Sequence, residues 1–101
     1  WSMPLYRKNS SVVVTEAGIR VVLSDSTRET LNFTNLGTSR VSIVDTLNNP
    51  ETEGYPIPAD GFLNYTLLWS DATKGTVIMK SISGGGNIDV RVQETFKEAY
   101  D

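Results

Sequence analysis

Cysteine and histidine are both absent from the 101 residues of this chain. Without cysteine there is no disulfide, thiolate zinc site, iron–sulfur cluster or thiol nucleophile. Without histidine the commonest general base and the commonest metal ligand are missing too. The sequence therefore predicts no enzyme, no catalytic residues, no metal and no cofactor. Basic residues are few and scattered: 9 Lys and Arg stand against 12 Asp and Glu, a formal net charge of −3. Phosphate backbones are bound by clustered cations, so nucleic acid is not expected as a partner, and Arg7-Lys8 reads as a solvated pair. No run approaches the roughly 20 apolar residues of a membrane span, and no membrane association is expected. A chain of about 100 residues supports one domain with a modest core.

What the sequence does contain is strict alternation of apolar and polar residues, the period of a half-buried strand. It runs through Leu31 and Phe33, Val41 and Ile43, Leu63, Tyr65, Leu67 and Trp69, and Ile88, Val90 and Val92. Val12-Val13-Val14 and Val77-Ile78-Met79 are apolar without alternation, which predicts strands covered on both sides. Residues 19–23 complete a set of about seven. Turn residues separate the runs at the 8–12-residue spacing of a sandwich or barrel. The expected fold is all-β, a single antiparallel β-sandwich of about seven strands over residues 11–101, preceded by an extended N-terminal arm, residues 1–10. The expected core is Val12, Val14, Val21, Leu31, Phe33, Val41, Ile43, Leu63, Tyr65, Leu67, Trp69, Ile88, Val90 and Val92. Glu16-Ala17-Gly18 predicts a hairpin between the first two strands, with Gly18 at positive φ. Gly84-Gly85-Gly86 predicts a flexible hairpin tip rather than a phosphate loop, because a strand follows it and no Lys-Ser/Thr pair does. No helix of ordinary length is expected; the best helical candidate is residues 94–100, two turns at most, which is marginal in water unless it docks.

Two segments are unlike core. Residues 1–10 carry Trp1, Met3, Leu5 and Tyr6 around Pro4, then Arg7 and Lys8, and they either cover the open end of the chain's own sandwich or pack on a neighbouring subunit. In the second case Trp1, Met3, Leu5, Tyr6, Arg7 and Lys8 form a partner-binding set and the chain is a homo-oligomer or binds a larger protein. Residues 48–61 hold Pro50, Pro56 and Pro58, which fix φ and remove backbone donors, so this stretch is excluded from the centre of a sheet. Tyr55, within it, is the aromatic expected to be exposed and the candidate for a ligand, carbohydrate being the class its ring suits. Tyr65 and Trp69 are assigned to the core because they share the phase of Leu63 and Leu67. Asn9, Asn32 and Asn64 each begin an Asn-x-Ser/Thr triplet; Asn32 and Asn64 lie on the wet faces of expected strands, and the triplets read as ordinary surface residues.

From Asn35 onward the order of features becomes specific. A strand ends in Asn35-Leu36-Gly37, a strand 40–44 follows, and then Tyr55-Pro56-Ile57-Pro58-Ala59-Asp60-Gly61. After a long alternating strand come Val77-Ile78-Met79-Lys80-Ser81-Ile82-Ser83, a glycine turn, and Ile88-Asp89-Val90-Arg91-Val92-Gln93-Glu94. Over residues 29–94 this order resembles small β-sandwich structural proteins of tailed bacteriophage virions. In those a strand ending Asn-x-Gly precedes a Gly-x-Pro-Leu-x-x-Gly loop, and the last strand is of the Val-Arg-Val-x-Glu kind. Pro58 and the longer polar stretch 48–53 depart from that pattern. The resemblance implies a non-enzymatic virion protein, of capsid-decoration, head-fibre or tail-accessory type, whose partners are capsid or other virion proteins. The alternative left open is a carbohydrate-binding or host-attachment module.

Overall fold

The computed structural model describes residues 5–97. They form eight strands, β1 (Leu5–Val14), β2 (Ile19–Val22), β3 (Arg28–Asn35), β4 (Val41–Val44), β5 (Tyr55–Ile57), β6 (Phe62–Asn64), β7 (Val77–Ser81) and β8 (Ile88–Lys97), with one helical turn, α1 (Tyr65–Leu68), after β6. Every pairing is antiparallel. One sheet has the order β1-β8-β3-β6, the other β2-β7-β4-β5. The all-β sandwich expected from the alternation is therefore present, with eight strands rather than seven. Strand one pairs with eight, two with seven, three with six and four with five, the wrapping of a double-sheet jelly roll.

The inward residues of the two sheets meet in a single core. Val14, Leu31, Phe33, Val41, Met79, Val90 and Val92 have no measurable exposure, and each large side chain so buried contributes roughly 1.5–3 kcal/mol. Of the expected core, Val12, Ile43 and Trp69 are only half-buried and pack against the cluster from its margin. Leu67 is not core at all: it is 79% exposed. The reason is local. Asn64 Oδ1 accepts a 2.9 Å hydrogen bond from Leu67 N–H, an N-cap that gives the backbone a helical alternative to the ladder. The alternation continues in the sequence past Asn64, but the strand does not.

Several other expectations are corrected. Glu16-Ala17-Gly18 is not a hairpin turn, since β1 and β2 lie in different sheets; the turn carries the chain from one layer to the other, with Gly18 at φ +97°. Gly84-Gly85-Gly86 likewise crosses between sheets, from β7 to β8. The valine run 12–14 is not covered on both sides, because Val13 is 50% exposed, and Ile78 is half-buried between buried Val77 and Met79. Residues 94–97 are the end of strand β8, not helix. Residues 5–10, read as arm, are the first part of β1, paired residue for residue with β8. Pro56 sits in β5, at a sheet edge, where a missing backbone donor breaks no ladder.

The Asn35-Leu36-Gly37 motif joins the layers. The fully buried Asn35 amide donates to the carbonyls of Ser39 and Ile57, at 2.9 and 3.1 Å, and its Oδ1 accepts from Gly37 N–H at 2.8 Å. Ile57 belongs to the opposite sheet, so one side chain stitches the end of β3 to β5. Gly37 is required by space: a Cβ there would lie 2.6 Å from Ile88 Cγ2.

Candidate functional site

The cap at Asn64 has a second consequence. By ending β6 and starting α1 it swings Trp69 away from the sheet and over β5, so that Tyr55, Tyr65 and Trp69 converge. Tyr55 and Trp69 meet edge to face, centroids 5.2 Å apart at 84°, and Trp69 tilts against Tyr65 at 4.9 Å and 56°. Tyr65 in turn stands edge-on to Phe33 in the core, at 6.0 Å. The rings thus run from a rigid interior outward to Tyr55, which is 44% exposed. Gly54 is pressed against β4, since a Cβ there would meet the Ile43 carbonyl at 2.6 Å, and this close approach places the next residue, Tyr55, opposite Ile43.

Together the three rings border a cleft of about 490 Å³, with Asp45, Asn49 and Glu53 on its polar side. Asn49 Oδ1 is engaged by the N–H and hydroxyl of Thr46, which orients the side chain, while its amide N–H groups have no acceptor among the described residues. Burial, and after it the negative charge of Asp45, push the Tyr65 hydroxyl above the usual tyrosine range; Arg28 opposes this. The hydroxyl is therefore protonated over the whole neutral range. Sequence reasoning places Tyr55 at an exposed position and weighs Tyr65 and Trp69 as its partners in an aromatic platform, but assigns both by phase to the core; that holds for Tyr65, which is buried, and only in part for Trp69, which is half-buried. Asp45, Asn49 and Glu53 lie outside the strands and carry no strand alternation that would single them out.

Of the candidate partner-binding set, Trp1 and Met3 lie outside the described residues and Leu5 begins β1. Tyr6 stacks on Phe96 at 5.2 Å, with Arg7 and Lys8 exposed beside it. The strand they belong to forms the edge of its sheet, and its polarity can be worked out. Leu36 N–H donates to the Asp89 carbonyl, whereas Leu31 N–H turns away from β8 to the Thr66 hydroxyl. Donor direction alternates along an antiparallel strand, so the N–H groups of Val90, Val92 and Glu94 face β1. On β1 those of Lys8, Ser10 and Val12 then face β8, and those of Arg7, Asn9, Ser11 and Val13 face the open side. The β1–β8 register runs from Leu5 to Val14 without a bulge, and the strand contains no proline. Among the described residues the edge is closed only at its end, where the Thr15 carbonyl accepts from Ser81 N–H at 3.0 Å.

The outer face of this sheet is polar. Asn9, Gln93, Asn32 and Asn64 stand in one cross-strand row, which aligns all three asparagines of the Asn-x-Ser/Thr triplets. The glycine turn is occupied by the protein itself: the Glu16 carboxylate accepts from Gly84 N–H and Gly86 N–H, both at 3.2 Å. Among the described residues no group of three or more acidic side chains converges in a way that could hold a metal ion. No helix there is long and apolar enough to cross a membrane. The chain matches no family model, no curated protein and no solved structure. What fold and surface define among the described residues is a double-sheet sandwich with a long edge strand, β1, and an aromatic cleft.

Proposed function

We propose that this chain is a non-enzymatic structural subunit of a virion, of the capsid-decoration or head/tail accessory kind, which binds other virion proteins or copies of itself. The observation that carries the reading is the open edge of β1. Soluble proteins blunt their sheet edges with proline, bulges, short strands or charged side chains, because a row of free N–H and C=O groups is a template for pairing with another chain; on β1 the charges are confined to Arg7 and Lys8 near its start. Here a ten-residue edge strand has neither proline nor bulge, and four donors face outward. Strand addition at such an edge gives affinity through the backbone and specificity through alternate side chains. Tyr6, Arg7 and Lys8 lie on that strand and flank the contact, with the charges setting orientation and rate more than affinity. Support also comes from the resemblance over residues 29–94 and from the strand order, which capsid domains share; the latter is an analogy of fold alone.

The test uses Asn9→Pro. Proline at this position removes an outward N–H and leaves the β1–β8 ladder whole, so the variant folds with an unchanged melting temperature. Sedimentation of full-length protein, Asn9→Pro and a form lacking residues 1–6 is compared, each alone and with emptied capsids. The intact chain is expected to associate and Asn9→Pro to lose association, while the form lacking residues 1–6, which keeps all four outward donors but loses the flanking Tyr6, is expected to associate more weakly. A full-length chain that binds neither itself nor capsids overturns the reading, and an Asn9→Pro form that associates normally removes the edge from it.

A further inference from the structure

We propose that the cleft between Tyr55, Trp69 and Tyr65 is a binding site for a neutral saccharide unit. A sugar ring presents apolar C–H faces and a rim of hydroxyls that both donate and accept, so its site needs an aromatic surface beside a mixed set of polar groups. The cleft has both. Tyr55 and Trp69 stand nearly perpendicular, forming a corner in which one ring offers its face and the other its edge. On the polar side Asp45 and Glu53 accept, the Asn49 amide donates, and the Tyr65 hydroxyl does either. None of these four functions is satisfied by another described side chain, Asn49 being held only through its Oδ1. They therefore reach the ligand without first breaking a contact within the protein.

Charge and shape narrow the ligand further. Among the described residues two carboxylates and no cation border the cleft, which disfavours an anion. A purely cationic ligand would use the carboxylates and rings but leave the Asn49 donors idle, whereas a polyol uses every group. The volume of about 490 Å³ falls within the range of small-molecule sites and accommodates a mono- or disaccharide. The rings are braced through Tyr65 against buried Phe33, so little ordering opposes binding. The site is distant in sequence from β1 and stands independently of the assembly reading; a subunit that assembles through its edge can carry it facing outward.

Saturation-transfer NMR on the full chain tests this with methyl glucoside, methyl galactoside, maltose and N,N′-diacetylchitobiose at millimolar concentration, beside choline chloride and inorganic phosphate. At least one saccharide is expected to bind and to shift the Trp69 indole resonance. Tyr55→Ala should weaken that binding about tenfold or more, Tyr55→Phe should retain it, and Asp45→Asn should weaken it, all with unchanged thermal unfolding. Failure of all four saccharides overturns the proposal, as does saccharide binding that Tyr55→Ala and Asp45→Asn leave intact. Choline binding without saccharide binding overturns it in favour of a cation site.

Discussion

Arg28 Nε lies 2.9 Å from Glu94 Oε2, and the two side chains are only 3% and 6% exposed. Three further donors of the guanidinium are used as well. Nη1 donates to the carbonyls of Thr73 and Gly75, at 3.1 and 3.0 Å, and Nη2 to that of Leu23 at 2.6 Å. One side chain on β3 thus fastens β8, the end of β2 and the approach to β7. A buried pair of this kind costs much desolvation, which four of the five guanidinium donors offset by bonding a carboxylate and three carbonyls.

Removing either partner leaves the other charge buried and alone. Arg28→Ala or Glu94→Ala is expected to cost about 3–5 kcal/mol in urea unfolding. Arg28→Lys should recover little of this, since an ammonium cannot reach the Glu94 carboxylate and three carbonyls in the same fork geometry. A fully restored lysine variant would show that charge alone, and not the bonding pattern, holds the site.

Phe33 and Leu67 separate the true core from the sequence phase. Phe33 has no exposure and Leu67 has 79%. Phe33→Ala should therefore cost about 3–5 kcal/mol, and Leu67→Ala should stay within about 0.5 kcal/mol. Comparable losses in chemical denaturation would mean that the chain continues as a strand past Asn64.

Gly37 and Ile88 are coupled by space. Gly37→Ala places a methyl 2.6 Å from Ile88 Cγ2 and 3.0 Å from its Cδ1, so it should destabilise the fold. In an Ile88→Ala background the added methyl enters room that the truncation has vacated. The two changes should then cost less together than the sum of the single losses, a coupling that a double-mutant cycle reads. Simple additivity would contradict the close approach.

Glu51 gives a pH dependence. Its carboxylate is held below the usual range first by the Arg40 guanidinium at 2.6 Å, with Ser42 adding a hydrogen bond and partial burial opposing both. A carboxyl depressed in the folded state contributes stability above its unfolded pKa, and this is lost as pH falls through the folded value. Glu51→Gln should lower the melting temperature at neutral pH and converge with the parent protein in acid, below the depressed value. Asp25, depressed by the hydroxyl and N–H of Thr27, acts in the same direction and remains in both proteins. A difference that persists unchanged in strong acid would exclude the ionised contact.

The sequence by itself determined the class of fold and most of the buried face. Alternation at Leu31 and Phe33 and along Ile88, Val90 and Val92 states which side of a strand is wet, because the pleat sends successive side chains to opposite faces. It also marked the layer-crossing turns as turns, excluded Pro56 from a sheet interior and singled out Tyr55. Tertiary structure decided the rest. Alternation identifies a face and never a partner, so a short glycine turn reads the same whether it closes a hairpin or passes between sheets, as at Glu16-Ala17-Gly18. The phase through Tyr65, Leu67 and Trp69 was real, yet the Asn64 cap outweighed it, and the cleft exists because the chain turned there. Arg28 gave no signal of its burial, since a cation enters a core only where carbonyls and a carboxylate from distant strands converge, and that convergence is a property of the packed sheets.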